Sequence, residues 1–311
     1  MKKNVLFFVC IAVILCLSGC RINDDLQRLY VKAIISCSND KTLTKAETNA
    51  FTSDSIGVYV DDEDGLYAPA VNSTAVVSSG SVTSAPGPDI FINAPATVYA
   101  YYPASANELN SPDSTFTKSI TVSLTDDFSA SGQIDYLWAT PTDVSRTNRT
   151  NVSLTFYHAL AKVVFRLTLA ADYAGNPGLT QITLTTASSS HHFKYGQGTM
   201  SIADGSLTLP NEGNTLTYSG SKTLSGTASD IIALIAPTSL ADNISATSDI
   251  TIGITVGGIL YTTALPVNPI AEWACGTCYV YNITVGSRSI SISQVDVSGW
   301  IEGEETDIIV D

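Results

Sequence analysis

The stretch VSLTFYHALAKVVFRLTL, residues 152–169, contains two runs of alternating apolar side chains. The first run is Val152, Leu154 and Phe156, and the second, in the opposite phase, is Val163, Phe165, Leu167 and Leu169. Side chains alternate between the two faces of a strand, so a change of phase requires a bulge, a turn or a passage between sheets. The stretch therefore predicts a joint between two β units at residues 158–162.

Runs of strand length recur on both sides of this joint and end at Pro, Asn, Asp or Gly. They occupy residues 29–37, 55–60, 97–102, 120–124, 134–138, 181–186, 206–209, 230–236, 250–256, 259–265, 273–281 and 289–297. Gly257 and Gly258 separate two of these runs, which predicts a hairpin with a type I′ turn. No segment keeps a 3.6-residue apolar period over three turns. The 311 residues therefore predict an all-β protein of two domains.

The charge balance restricts the class of partner. The formal net charge is -14 and the isoelectric point is about 4.4. With 15 Lys and Arg residues among 311, the sequence has no basic stripe that could neutralise a phosphate backbone. Charged residues make up 14% of the chain and the mean hydropathy is +0.19. This composition argues against nucleic acid as a partner and is typical of an extracellular β protein.

The first twenty residues resemble a bacterial lipoprotein signal. Lys2 and Lys3 precede an apolar run at residues 5–17 that is too short to span a bilayer, and Leu17-Ser18-Gly19-Cys20 follows at once. In such a signal the cysteine thiol receives the lipid, so Cys20 becomes the first residue of the mature chain. The alternative is an ordinary secretory signal with an incidental Cys20. Asp24-Asp25 resembles an acidic signal for export to the cell surface.

Three residue groups carry possible metal or thiol chemistry. The acidic turn at residues 61–65 offers carboxylates to a hard cation but lacks the spacing of a calcium-binding EF-hand. His191 and His192 can ligate one metal only if they lie in a loop, because neighbours on a strand face opposite ways. Cys275 and Cys278 have redox C-x-x-C spacing, yet a strand pattern follows them rather than a helix. We expect structural or incidental thiols there, with a local disulfide as the alternative.

The sequence contains no motif that indicates a catalytic site. The chain contains neither a G-x-S-x-G nucleophile motif nor a glycine-rich phosphate loop. Tyr99, Tyr101 and Tyr102 could stack on sugars in a monomeric surface lipoprotein that binds glycans or host ligands. Packing between neighbouring strands is the simpler interpretation of these tyrosines. We therefore expect a protein that is not an enzyme and has no cofactor.

An ordered set of motifs resembles the fimbrillin family, the type V pilins of Gram-negative anaerobes. The motifs are LSGC at 17–20, TKA at 44–46, VYAYYP at 98–103, IDYLWA at 134–139, FYHALAKVVFRL at 156–167, IIALIAP at 231–237, EWACGTCYVYNITV at 272–285 and VDVSGW at 295–300. No single motif is specific. Together they keep the family's order across both halves of the chain.

The resemblance implies two transthyretin-like β-sandwich domains in tandem. The implied organisation is a signal peptide at 1–20, an N-terminal strand and cleavable loop at 21–46, an N-terminal sandwich at 47–150 and a C-terminal sandwich with a donor-strand tail at 151–311. In the family, a trypsin-like protease that usually prefers arginine cuts the loop. Here Lys45 occupies that position, and cleavage before Ala46 would start the processed chain.

Polymerisation by strand exchange is the function that the resemblance implies. Removing the N-terminal strand would open a groove, which a tail from another copy or a related subunit would fill. The donor residues in this interpretation are Val295, Val297, Ile308, Ile309 and Val310. The expected product is a surface fimbria of the outer membrane that supports adhesion, and a cleavable loop together with a donor tail favours a stalk subunit.

Overall fold

The protein is built from β-strands. The structure is a computed structural model that describes residues 31–35, 53–61, 73–78, 81–84, 95–104, 117–145, 152–186, 192–240, 250–266 and 272–300. The described residues contain no α-helix, and accordingly none of their segments forms a helix that is long and apolar enough to cross a membrane.

The strands follow one another in chain order. They are β1 (Val31–Ile35), β2 (Ser53–Asp61), β3 (Ser73–Ser78), β4 (Ser81–Ser84), β5 (Ala96–Tyr102), β6 (Thr117–Val122), β7 (Thr125–Asp127), β8 (Leu137–Ala139), β9 (Thr142–Val144), β10 (Val152–His158), β11 (Ala161–Leu169), β12 (Gly178–Thr186), β13 (Phe193–Ser201), β14 (Leu207–Thr208), β15 (Asn211–Gly213), β16 (Thr215–Thr223), β17 (Ser229–Ile235), β18 (Thr238–Ser239), β19 (Ile250–Val256), β20 (Ile259–Ala264), β21 (Glu272–Trp273), β22 (Thr277–Val285) and β23 (Ile290–Gly299).

Hydrogen bonding groups these strands into sheets. The N-terminal sheet has the order β1-β10-β8-β5-β2-β3-β4, and β9 also pairs with β5. The C-terminal half contains one sheet of order β17-β11-β22-β23 and another of order β20-β19-β12-β16-β7. Strands β14, β13 and β15 form a further sheet, to which β6 adds on β13, and β18 pairs with β21. The all-β class expected from the sequence is confirmed.

The predicted joint lies where the chain leaves the N-terminal sheet. Strand β10 pairs with β8 and β1, whereas β11 pairs with β17 and β22 in a different sheet. Ala159 and Leu160 bend between them, and both are buried. Phe156 packs in the N-terminal core, and Phe165 packs in the C-terminal core. The change of phase therefore marks a passage from one sheet to another at residues 159–160.

Three apolar cores lie among the residues that the structure describes. One lies under the N-terminal sheet and includes Val58, Val98 and Leu154. A larger one lies in the C-terminal half and includes side chains from β11, β12, β17, β19 and β22. The third, which we call the junction core, combines residues of both halves, among them Tyr101 and Trp300. Both faces of β11 are consequently buried at Lys162 and Val164 as well as at Val163 and Phe165.

The turn at Gly257 and Gly258 has the geometry that the sequence predicts. Gly257 and Gly258 have φ angles of 59° and 79°, which glycine adopts without steric cost. They close the hairpin of β19 and β20, with Val256 opposite Ile259. The predicted type of connection is confirmed.

Candidate functional site

The N-terminal sheet ends in β1 on one side and in β4 on the other, and these two strands also lie close to each other. Strand β1 lies at one end of the sheet and pairs with β10 in parallel, from Val31 opposite Val152 to Ile35 opposite Phe156. On its other side β10 pairs with β8. Val152 and Phe156 are 2% exposed, so the inward face of β10 belongs to the core. Loss of β1 would leave the outer backbone groups of β10 without that partner.

Several residues of the predicted site lie outside the described part of the chain. These are Cys20, Lys45, Ala46, Ile308, Ile309 and Val310. The segment that joins β1 to β2 comprises residues 36–52 and includes Lys41 and Lys45. Any cut between those strands would separate β1 covalently from the rest of the sheet.

The other predicted donor residues lie in the last described strand. Val295 and Val297 belong to β23, which pairs antiparallel with β22 and ends its sheet. Val295 packs against the C-terminal core, and Val297 is 49% exposed. Residues 290–299 therefore form a strand of their own subunit's sheet.

Trp300, the last residue that the structure describes, is anchored in the junction core. Its side chain is 2% exposed, and its backbone N–H donates to the Gly276 carbonyl at 2.8 Å. The indole stacks on His158 with ring centroids 3.7 Å apart and planes 9° apart. His158 Nδ1 lies 2.9 Å from Asp135 Oδ1, and Lys162 Nζ lies 5.9 Å from the indole centroid. The base of the tail is thus held by residues from β11, from β10 and from the segment before β8.

The two cysteines lie next to this anchor, Cys275 in a turn and Cys278 at the start of β22. Cys275 is exposed and Cys278 is buried, and no disulfide joins them. Gly276 has a φ of 63° and donates its N–H to the Leu160 carbonyl at 2.9 Å. Strand β22 begins at Thr277, so Cys275 precedes the strand and Cys278 is its second residue, and a strand rather than a helix follows, as predicted. No helix dipole is present at this position to stabilise a thiolate.

The described residues contain no cluster of potential metal ligands. No group of three or more His, Cys, Asp or Glu side chains there could hold an ion. His192 Nδ1 lies 3.1 Å from Glu212 Oε2. His191 and the acidic residues after Asp61 lie outside the described residues.

Comparison with known proteins identifies the family. A fimbrillin-like family profile matches residues 44–300, which include both halves, the joint and Trp300. The chain belongs to the fimbrillin-like family. None of the curated proteins matches this chain.

Solved structures share the fold of this fimbrillin-like chain. A candidate cell adhesion protein from Bacteroides ovatus has a TM-score of 0.65 and 17% identity, over 90% of this chain and 99% of that one. A candidate cell adhesion protein from Bacteroides uniformis has a TM-score of 0.59 and 19% identity, over 88% and 99%. A fimbrial protein from Bacteroides vulgatus has a TM-score of 0.52 and 13% identity, over 88% and 100%.

The tyrosines of β5 have packing roles in this fimbrillin-like protein. Tyr101 is fully buried, and the Lys118 ammonium lies 5.1 Å from its ring centroid. Tyr99 lies opposite Tyr59 on β2, with ring centroids 6.3 Å apart. Burial, reinforced by the charges of two nearby aspartates, raises the pKa of Tyr99. These contacts agree with packing between strands rather than with a sugar-stacking surface.

Sequence reasoning missed the residues that anchor Trp300. Asp135 and His158 are charged or polar residues inside the apolar stretches IDYLWA and FYHALAK, and each is at most 4% exposed. A buried carboxylate requires a partner, and the neighbouring stretch contains an imidazole. An acid and a histidine within two apolar stretches could therefore have suggested a buried Asp135–His158 pair. The sequence does not reveal that Trp300 covers this pair.

Proposed function

We propose that this fimbrillin-like chain is a structural subunit of a surface fimbria, exported as a lipoprotein and polymerised by protease-triggered strand exchange. The position of β1 is the observation that carries the proposal. This strand is five residues long, ends its sheet and pairs with β10 alone among the described strands. A proteolytic cut in residues 36–52 would therefore free an element that is retained by one ladder of hydrogen bonds and by its contacts with β4.

The proposed acceptor is the edge of β10 that β1 occupies. After β1 departs, the backbone groups along residues 152–156 need new partners, because unpaired buried N–H and C=O groups are unfavourable. An extended segment from a second copy can supply them by adding a strand. Cleavage between Lys45 and Ala46 would be the trigger, since Lys45 occupies the position of the family's processing site.

The proposed donor is the C-terminal run that follows the Trp300 anchor. Its last residues include Ile308, Ile309 and Val310, and Val295 and Val297 precede the anchor on β23. Eleven residues follow Trp300, and at about 3.3 Å per extended residue they could reach roughly 36 Å. Such a contact joins unlike surfaces of two copies and does not close on itself, so it produces a fibre. We assign the subunit to the stalk.

Two transthyretin-like sandwiches in tandem are the architecture that we propose for the fimbria. The expected division is an N-terminal domain at 47–150 and a C-terminal domain at 151–311. The separate N-terminal and C-terminal cores support two packing units. In this arrangement β10 serves the N-terminal sheet although it follows residue 150, so the acceptor edge includes a strand from just beyond the expected division.

Export as a lipoprotein completes the proposal. Lipid on Cys20 would hold the precursor in the outer membrane, and Asp24-Asp25 would direct it to the outer face. A cut after Lys45 would then release the body from its lipid. One proteolytic event would therefore free the subunit and open its acceptor edge.

Protease-triggered assembly of truncated and complete chains tests the donor. We expect the wild type, once cut after Lys45, to form SDS-resistant ladders, because strand addition replaces a complete ladder of hydrogen bonds. A variant that ends after Trp300 should remain monomeric under the same treatment. Both proteins are analysed by unboiled gel electrophoresis and by electron microscopy.

Two controls separate the trigger from the donor. Lys45→Ala should block the cut by a lysine-specific protease at this site, and Lys41→Ala should leave it intact. Ladders of wild-type length from the protein that ends after Trp300 would show that the tail is not the donor.

A further inference from the structure

A segment of the N-terminal half covers strand edges of the C-terminal half. We call residues 117–136 the clasp. Its first part, β6, pairs antiparallel with β13, from Thr117 opposite Ser201 to Val122 opposite Gly196. On its other side, β13 pairs with β14 and β15. The clasp therefore completes a sheet whose other strands all belong to the second half.

The second part of the clasp covers β16. Strand β7 pairs with β16 in parallel, from Thr125 opposite Thr217 to Asp127 opposite Ser219. Two further backbone bonds extend the contact: Thr217 N–H donates to the Leu124 carbonyl at 2.8 Å, and Phe128 N–H donates to the Ser219 carbonyl at 3.2 Å. The far neighbour of β16 is β12. The clasp thus ends a second C-terminal sheet.

The third contact is made by one side chain, the amide of Gln133. Its Nε2 donates to the Ile232 carbonyl at 3.3 Å, and its Oε1 accepts from the backbone N–H of Leu234. A residue of a parallel strand bonds its partner in the same way, donating to one residue and accepting from the residue two positions on. The Gln133 amide therefore occupies the place of a strand on the outer edge of β17.

Strand β17 would be prone to pair with another chain if its outer edge were open. Ile231, Ile232, Ala233, Leu234 and Ile235 form an uncharged apolar run with high β propensity. Runs of this kind pair readily with other chains when their edge is open. β11 occupies one side of β17, and no other described strand lies on the opposite side.

The clasp is fixed internally, so Gln133 is held in position. Asp127 accepts hydrogen bonds from the Ser129 and Ser131 hydroxyls, and these bonds lower the pKa of Asp127 to about 2. The Tyr136 hydroxyl accepts from the Thr121 N–H at 2.9 Å, which ties the two ends of the clasp together. A side chain on a fixed segment loses less conformational entropy when it bonds an edge.

We propose that Gln133 determines where strands can add during assembly, by closing the β17 edge to an extended strand of a second copy. Closure of β17 removes an apolar edge that would otherwise compete with the β10 edge for an incoming strand. This inference rests on the proposed strand exchange for the identity of the competing segment, the C-terminal tail. Closure of β17 itself requires only the contacts of the clasp.

The test uses the complete chain without any protease. Gln133→Met keeps the length and most of the volume of the side chain but removes both hydrogen bonds, and Gln133→Ala removes the side chain. Gln197→Met is the matched control, because Gln197 is exposed on β13. Light scattering measures self-association, and hydrogen exchange with mass spectrometry measures protection of the Leu234 amide.

Gln133→Met should associate without proteolysis, whereas the wild type and Gln197→Met should remain monomeric. In freshly prepared monomer of the Gln133→Met variant, the Leu234 amide should exchange faster by about fivefold to tenfold, as loss of one hydrogen bond implies. Gln133→Met alone decides the question if Gln133→Ala unfolds, because an unfolded chain exchanges all of its amides quickly. Monomeric Gln133 variants with wild-type exchange at Leu234 would overturn the proposal.

A second arm keeps this result separate from the donor assignment. Gln133→Met is combined with truncation after Trp300. Association that disappears supports a guarded β17 edge with the tail as the incoming strand. Association that persists also supports a guarded edge, with β17 of a second copy as the partner. The role of Gln133 would then hold even if the tail were not the fimbrial donor.

Discussion

Lys162 illustrates at the scale of single residues how this protein buries charge. The residue is 2% exposed, and its ammonium lies 5.9 Å from the centroid of the Trp300 indole. A cation near an aromatic face gains electrostatic energy that offsets part of its desolvation. The alternation of residues 163–169 indicated one buried face of β11. The junction core covers the other face at Lys162 and Val164 as well, so the local period revealed one buried surface of this strand but not the second.

Phe165 offers the clearest residue-scale prediction. Its side chain is fully buried and its ring lies 6.3 Å from that of Tyr281, in stacked orientation. Phe165→Ala should lower the free energy of unfolding by about 3–5 kcal/mol, because it removes a large apolar side chain and leaves a cavity. Denaturant unfolding followed by circular dichroism measures the change.

The matched control for Phe165 is an aromatic residue at the surface. Tyr157 is 45% exposed and contacts Trp138, with ring centroids 5.4 Å apart. Tyr157→Ala should lower the free energy of unfolding by only about 1 kcal/mol. Equal losses for the two variants would contradict the buried position of Phe165.

At the scale of elements, strands with clean apolar alternation were predictable and polar strands were not. Residues 250–256 alternate with Ile and Val and form β19 as expected. Strand β13 reads FKYGQGTMS, and β16 reads TLTYSGSKT. Glycine, lysine and serine weaken the local preference for a strand, so long-range pairing with β6 and β12 determines these elements. The run at 120–124 predicted the strand that forms β6, but the pairing of the clasp was not predictable, since the partners of β6 and β7 lie 74 to 92 residues away in sequence.

The hairpin of β19 and β20 provides the element-scale prediction. Gly258 has a φ of 79°, and an added Cβ would meet no atom within 4 Å. Gly258→Ala should therefore destabilise the protein through backbone strain alone, by about 1–2 kcal/mol. The free energy of unfolding in urea measures the effect.

Gly226 is the control for this substitution. An added Cβ there also meets no atom within 4 Å, and the residue does not have a positive φ. Gly226→Ala should be neutral or slightly stabilising, because alanine reduces the entropy of the unfolded chain. A similar loss at both positions would mean that the turn geometry of Gly258 is not the cause.

At the scale of the whole molecule, the first described strand and the last described residue lie in different parts of the fold. Strand β1 lies on one edge of the N-terminal sheet, and Trp300 is buried in the junction core. The junction core and the clasp join the two halves, so strand addition at β10 does not require the halves to separate. This arrangement suits a subunit that transmits load along a fibre.

The lipid anchor is the whole-molecule prediction that connects this subunit to its membrane. Cys20 follows the apolar run of residues 5–17 and the small residues Ser18 and Gly19. Cells grown with a labelled fatty acid should incorporate the label into the wild type and into Cys275→Ala, but not into Cys20→Ala. The unlabelled variant should also move from the membrane to the soluble fraction, because stable anchoring depends on the buried methylene groups of the acyl chains, each of which contributes about 0.8 kcal/mol.

Protease added to intact cells then reports on which side of the membrane the protein lies. Wild type should be degraded, and the double variant Asp24→Ala/Asp25→Ala should be protected if these two carboxylates direct export. Equal labelling of wild type and Cys20→Ala would place the lipid elsewhere and remove the membrane step from the proposed assembly, while leaving the β10 edge and the clasp as they are.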